Sequence, residues 1–212
     1  MNMKKTLVLS TAAIGLAVLL FGAVYESFQD SKPIVLETVG FPSIGNRTAK
    51  VEVVVIEDFL CSNCKEFTQH VFPQIQTRYI EPGQVRFTIV PVAFISGSKP
   101  IANAALEVFL SSPDRFFPFI EEILAYSRDE KVEGISLIQI AEKVGGIDLA
   151  RLQDCIDSDC HYWELEKNLQ WAQAVMGKDF GTPALYVNGK STSTRTFEGV
   201  QERVEQVLNE TH

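Results

Sequence analysis

Apolar positions along the chain change rhythm several times. Val51-Glu-Val-Val-Val-Ile-Glu-Asp-Phe59 is a short run rich in β-branched residues, as expected for a central strand covered on both faces. From Cys61 to about Ile80, Phe67, Val71, Ile75 and Tyr79 recur at four-residue steps, which predicts a helix. Pro73 lies inside it; a proline removes one amide donor, so a kink is expected there. Glu81-Pro-Gly83 reads as a turn and Val85–Val92 as a second strand. Strand, helix and strand within about 40 residues make a βαβ unit with a right-handed crossover.

Between Lys99 and Met176 the pattern is helical. Ile101–Leu110, Arg115–Tyr126, Leu137–Val144, Leu149–Ile156 and Tyr162–Met176 are the candidates, separated by Pro113, Gly134 and Gly145-Gly146. Ala184–Val187, the turn Asn188-Gly189 and Thr194–Phe197 then read as a β-hairpin, since Asn-Gly favours the tight turn. A closing helix, Val200–Leu208, presents Val200, Val204, Val207 and Leu208 on one face. Residues 26–48, with Pro33, Gly40, Pro42 and Gly45, read as an extended approach to the domain.

The N-terminus has a different character. Lys4 and Lys5 precede an uncharged apolar run, Leu7–Val24, the pattern of a secretory signal. The run also reaches the lower limit for spanning a bilayer, and Gly22–Ser27 offers no pair of small residues at cleavage spacing. Cleavage by a signal peptidase and retention as an anchor through residues 6–24 are both consistent with it. Either way the lysines stay inside and the remainder is exported.

Composition narrows the classes further. The chain has 212 residues, 46% hydrophobic and 22% charged, which excludes disorder and fibrous repeats. Losing residues 1–24, which carry two lysines and no acid, would take the net charge from −8 to −10. No overall basic footprint for nucleic acid is present. Four cysteines are too few for a disulfide-stapled scaffold, so each needs a specific role.

Cys61-Ser62-Asn63-Cys64 follows a strand and opens a helix. At a helix N-terminus, free amides and the positive end of the dipole stabilise a thiolate. The second cysteine, one turn on, is placed for a reversible disulfide. Half of a zinc site, completed by Cys155 and Cys160 or by His70, is a competing reading, as is an inert structural bridge. Structural zinc sites usually set their cysteine pairs on turns or ribbons, so redox chemistry is favoured and no metal is expected. Cys155 and Cys160 are expected to pair structurally in an exported protein. Positions five apart on one helix cannot bridge, but Ile156–Asp159 could break the helix and bring the sulfurs together; a second redox-active pair and free buried thiols are the alternatives. His70 is expected at the surface; His161, Trp163 and Trp171 are expected to pack the helical block. The acidic pairs, Glu121-Glu122 among them, read as solvated faces.

Gly181-Thr182-Pro183-Ala184 begins the hairpin. A cis bond at Pro183 would present the Thr182 backbone to an extended chain. With these motifs in place, residues 49–212 resemble the thioredoxin superfamily, and within it the DsbA-type thiol–disulfide oxidoreductases. The resemblance rests on Asp58–Cys64, on Gly181-Thr182-Pro183 with the following Asn188-Gly189, and on the helical block between the halves. It implies an α/β, thioredoxin-like fold with an inserted helical domain. The expected organisation is a signal peptide or anchor at 1–24 and an extended segment at 25–48. Thioredoxin-like parts at 49–97 and 177–212 flank a helical insertion at 98–176.

The resemblance further implies a nucleophilic Cys61, a buried partner Cys64, a cis-Pro183 facing them with Thr182, and no cofactor. Ser62 and Asn63 would tune the redox pair. Strong oxidants of this family carry a histidine where this chain has Asn63; a neutral amide stabilises the thiolate less, implying a weaker oxidant. The buried acid that many members place six residues before the first cysteine is Val55 here, leaving the proton acceptor of Cys64 open between Glu57, Asp58 and neither. Expected partners are reduced or unfolded exported proteins and a DsbB-type membrane quinone reductase for reoxidation, with no nucleic acid, and the chain working as a monomer in the periplasm. A disulfide isomerase or reductase of the same fold, or a redox-inert chaperone-like module, are the alternative functions.

Overall fold

The computed structural model describes residues 33–125, 134–192 and 194–210. The leader-like stretch at 1–24 and the part of the 25–48 segment up to Lys32 lie outside the described residues. Among those described, no helix is long and apolar enough to cross a membrane.

A five-stranded sheet organises the domain, in the order β1-β3-β2-β4-β5: β1 (Ser43–Gly45), β2 (Val51–Asp58), β3 (Val85–Val92), β4 (Ala184–Val187) and β5 (Lys190–Ser191). β2 runs parallel to β3, Val51 facing Val85 through Asp58 facing Val92, and antiparallel to β4. Its central place explains the near-continuous apolar run, since both faces are covered. Val51, Val53 and Val55 join the larger core with Phe67, Phe87 and Phe119, while Val54 and Ile56 pack on the opposite face against Val90, Ala172 and Tyr186. Complete burial of each such side chain contributes about 1.5–3 kcal/mol.

After β2 the chain turns into α1 (Ser62–Glu66), a π turn (Phe67–Val71), α2 (Phe72–Ile75) and a second π turn (Gln76–Ile80). The expected helix is present, and Pro73 acts at the first turn of α2. Lacking an amide, it cannot bond back one helical turn, and the preceding turn widens into π geometry. Between β3 and β4 lie α3 (Lys99–Ser111), α4 (Phe116–Ala125), α5 (Gly134–Val144), α6 (Leu149–Ser158) and α7 (Tyr162–Met176). α8 (Phe197–Glu210) closes the chain.

Three expectations are corrected. The second hairpin strand is Lys190–Ser191, not Thr194–Phe197; the tight Asn188-Gly189 turn sets pairing immediately beyond itself, and Phe197 instead opens α8. Ser43–Gly45 is a strand on the edge of β3, too short to carry a hydrophobic period. Trp163 is 71% exposed, so it does not pack the helical block; Trp171 does pack, against Phe41, with ring centroids 5.9 Å apart.

The segment before β1 crosses under the sheet. Ile34 N donates to Gly189 O at 3.0 Å on one side, Thr38 Oγ1 donates to Glu52 Oε1 at 2.8 Å in the middle, and β1 joins β3 on the other. Gly189 sits at positive φ, and a Cβ there would strike the Ile34 carbonyl oxygen, so this close approach requires glycine.

Candidate active site

Asp58 ends β2 and bends the chain toward the cysteines. It is fully buried, and one oxygen accepts from Leu60 N at 3.0 Å while Cys61 N donates to the Asp58 carbonyl at 2.9 Å. The other oxygen accepts from Phe94 N, Ile95 N and Ser98 Oγ, each at 2.9 Å. A buried carboxylate needs such saturation. Asp58 therefore splices the β2 end to the loop after β3, and it points away from the cysteines.

Cys61 is the N-cap residue of α1, in extended conformation, and is partly exposed, whereas Cys64 is fully buried. Both are free thiols. The Cys61 thiol is pulled down to about 5. The hydrogen bond from the Cys64 thiol is the leading cause; burial works against it, and Thr182 and the amides of Cys64 and Asn63 add to it. Cys64 moves far in the other direction, first through burial, then through its bond to Cys61 and the nearby Glu57 charge. The pair is thus polarised into an accessible thiolate and a buried thiol.

Thr182 and Pro183 reach this pair from a point 121 residues further along the chain: Cys61 Sγ lies 3.4 Å from Thr182 O. The Thr182–Pro183 bond is cis, and Arg195 Nε donates to Pro183 O at 2.8 Å, fixing the loop from the side. The buried Thr182 hydroxyl has no hydrogen-bond partner among the described residues. Phe94 and Phe180, on the loops that carry the Asp58 contacts and the Thr182 turn, meet edge to face at 4.9 Å. Phe94 is 40% exposed and gives this rim an apolar surface. Beside Asn63, an open groove of about 380 Å³ runs between His70, Arg195 and Phe197. Ser62 and Asn63 contribute their positions in the first turn of α1.

Strand alternation decides which acid faces the cysteines. Glu57 shares the β2 face of Val53 and Val55, packed toward Phe67 and Phe87; Asp58 occupies the other. Glu57 is 1% exposed, and its Oε2 has no hydrogen-bond partner among the described residues. Burial, and secondarily the Cys61 charge, raise its carboxyl to about 8. A small cavity of about 10 Å³, bordered by Phe67, Phe87 and Phe117, has Glu57 on its wall and the exposed Glu121 at its outer side. That is room for about one water molecule. Burial and the neighbouring Glu122 raise Glu121 as well, so its solvated-face reading is incomplete. Two carboxyl groups, both shifted toward the protonated form, thus border one small cavity.

Cys155 and Cys160 form a second, separate pair. α6 ends at Ser158, Asp159 takes a left-handed conformation with φ 49°, and α7 begins at Tyr162. This break brings the two Cα atoms to 4.9 Å and closes a disulfide. It sits against α3, where Asn103 Nδ2 donates to Cys155 O at 2.8 Å.

A family model described as Thioredoxin matches residues 37–206. Disulfide bond formation protein D of Bacillus subtilis (strain 168) is 30% identical over 174 residues, covering 80% of this chain and 78% of that protein. The crystal structure of BdbD from Bacillus subtilis in its oxidised form superposes with a TM-score of 0.75 at 29% identity, covering 85% of this chain and 97% of the other. That of Chlamydia trachomatis DsbA gives 0.76, also at 29% identity and with the same coverage of 85% and 97%.

Proposed function

Because the chain belongs to the thioredoxin family, and within it to the DsbA-type thiol–disulfide oxidoreductases, we propose that it introduces disulfide bonds into reduced exported proteins through Cys61 and Cys64. The observation that carries this reading is the polarised pair: an accessible Cys61 whose thiol is lowered to about 5, backed by a fully buried Cys64. A thiol this acidic is a good leaving group, so a mixed disulfide through Cys61 resolves readily in favour of the client.

The oxidised chain carries the Cys61–Cys64 bond. A client thiolate attacks Cys61 Sγ; that bond breaks, and a mixed disulfide forms. Cys64 departs as a thiolate that burial disfavours strongly, so it needs a proton at once. Protonated Glu57 supplies it, and the cavity toward Glu121 restores it from solvent. The client's second thiolate then attacks its own mixed-disulfide sulfur and releases Cys61 as a thiolate. Two electrons have moved from the client dithiol to the pair. Reoxidation runs the proton steps backwards, with Glu57 accepting the Cys64 proton as that sulfur attacks.

The apolar Phe94–Phe180 rim and the Thr182 backbone presented beside Cys61 suit an extended, unfolded client better than a folded one. Asn63, in place of an imidazole, supports a milder oxidant than family members with a histidine there. A DsbB-type membrane quinone reductase would recycle the pair, and the chain would work as a monomer outside the cytosol, released from or held by residues 1–24. The decisive experiment is trapping. Cys64→Ala should accumulate mixed disulfides with reduced proteins through Cys61. Adducts through Cys155 or Cys160, or failure of the oxidised chain to oxidise a dithiol peptide, would overturn the reading. The reduction potential in a glutathione series separates oxidase from isomerase or reductase.

A further inference from the structure

The second cysteine pair has neighbours that a structural crosslink does not need. Glu107, from the middle of α3, is 3% exposed, and its carboxylate points at the α6–α7 junction. Its Oε2 lies 3.0 Å from His161 Nε2 and 3.8 Å from Cys160 Sγ. One ligand atom each from Glu107, Cys155, Cys160 and His161 falls within 4.8 Å of all the others. Two sulfurs, an imidazole nitrogen and a carboxylate oxygen are the donor types of a tetrahedral zinc site. We propose that these four residues form a redox-gated zinc site, closed to metal while Cys155 and Cys160 are bonded and able to bind one Zn²⁺ when they are reduced.

Geometry carries this further than composition. With zinc bonds of about 2.3 Å to sulfur and about 2.0–2.2 Å to nitrogen and oxygen, neighbouring ligand atoms in a tetrahedron stand about 3.3–3.8 Å apart. The Glu107–His161 and Glu107–Cys160 separations already lie within a few tenths of an ångström of that range. Breaking the sulfur–sulfur bond lets the two sulfurs move apart to the same spacing. The longest separation, 4.8 Å, must close by about 1 Å. Cys160 is exposed and follows the left-handed Asp159, so it can make that adjustment without disturbing the core.

The surroundings are built for the arrangement. Asn103, 1% exposed, donates to both Cys155 O and Cys155 Sγ, the latter at 3.4 Å, and accepts from His161 N at 2.8 Å. One buried amide therefore holds two of the four ligands, as outer hydrogen bonds do around metal centres. Arg151 Nε pairs with the remaining Glu107 oxygen. Two thiolates, one carboxylate and Zn²⁺ leave one negative charge, which this guanidinium offsets.

The chemistry balances with a dithiol as reductant. It donates two electrons and two protons and becomes a disulfide, while the Cys155–Cys160 bond breaks to two thiols. Zn²⁺ then displaces both protons and binds the thiolates. Because the metal binds only the reduced pair, zinc at 100 times its dissociation constant should shift the reduced-to-oxidised ratio of that pair about 100-fold.

The test uses the full chain with Cys61→Ser and Cys64→Ser, so that only the second pair can respond. After anaerobic reduction with a phosphine, one Zn²⁺ per chain should remain bound after gel filtration, and none to the oxidised chain. Co²⁺ in its place should give thiolate-to-cobalt charge-transfer bands and a tetrahedral visible spectrum. Cys160→Ser, at an exposed position, and Glu107→Gln, which keeps its shape, should each weaken binding at least tenfold. Absence of metal from the reduced chain, equal binding by the oxidised chain, or unchanged affinity in the Cys160→Ser variant would each overturn the proposal.

Discussion

Replacing Glu57 by glutamine should make the reduced protein more stable, and the gain should depend on pH in a calculable way. Below the ordinary carboxyl value of 4.5, the group is protonated in both folded and unfolded chains and costs nothing. Above it the unfolded chain ionises first, while the buried carboxyl keeps its proton up to about 8. Stability is therefore lost progressively between those two values as pH rises. At about 1.36 kcal/mol per pH unit, the deficit is about 2 kcal/mol at pH 6, about 3 at pH 7 and about 5 above pH 8. Glu57→Gln removes the ionisation and keeps the shape, so its advantage should grow along that curve and vanish near pH 4. Urea unfolding of both reduced proteins across this range measures it. The same variant should slow the steps in which Cys64 gains or loses a proton, and should flatten their pH profile. A difference in stability that stays constant with pH, or a variant less stable at pH 7 than at pH 4 relative to the parent, would refute the reasoning, because it would mean that Glu57 folds as a paired anion.

Three further outcomes are expected. The alkylation rate of Cys61 against pH should give a midpoint near about 5, and Cys64→Ala, by removing the leading hydrogen bond, should weaken that acidity about 10–100-fold; an unmoved midpoint would remove Cys64 as its cause. Asp58→Ala leaves the Leu60, Phe94 and Ile95 amides without their acceptor, while the Ser98 hydroxyl keeps Ile95 O, so denaturation should show a loss of about 3 kcal/mol or more, and a loss below about 1 kcal/mol would contradict the splice. Cys155→Ser with Cys160→Ser should cost about 2 kcal/mol for so short a closed loop, read by thermal unfolding of the oxidised chain, while oxidation of a dithiol peptide by Cys61 and Cys64 continues at the parent rate.

The parts of the molecule that could be read in the sequence are those whose signal is local. Val51–Phe59 has the composition of a doubly covered strand, and Cys61–Cys64 sits where strand gives way to helix, so both the sheet centre and the reactive pair are visible at once. β1 is not, because three residues carry no period and its existence depends on β3 beside it. Glu57 is a candidate in the sequence, one pleat nearer the site than Val55 on the same strand face, but only its burial beside Phe67 and Phe87 separates it from Asp58. Glu107, His161 and Asn103 could not be connected to Cys155 in advance, since α3 meets the α6–α7 junction only through tertiary packing. The hairpin boundary failed for the converse reason: Thr194–Phe197 has strand-like residues, but the turn type spent the pairing two residues earlier.

The strap beneath the sheet fixes how the molecule is presented to its surroundings. Asn188, beside the residue that holds Ile34, binds Lys50 O and Glu52 N at the start of β2, whereas Cys61 lies just past the other end of that strand. Eight strand residues separate them, a span of about 25 Å at about 3.3 Å per residue. The chain thus enters the domain at one pole and carries its reactive sulfur at the other. The hydrogen bonds of Ile34 and Thr38 keep that orientation from depending on the sheet edges alone.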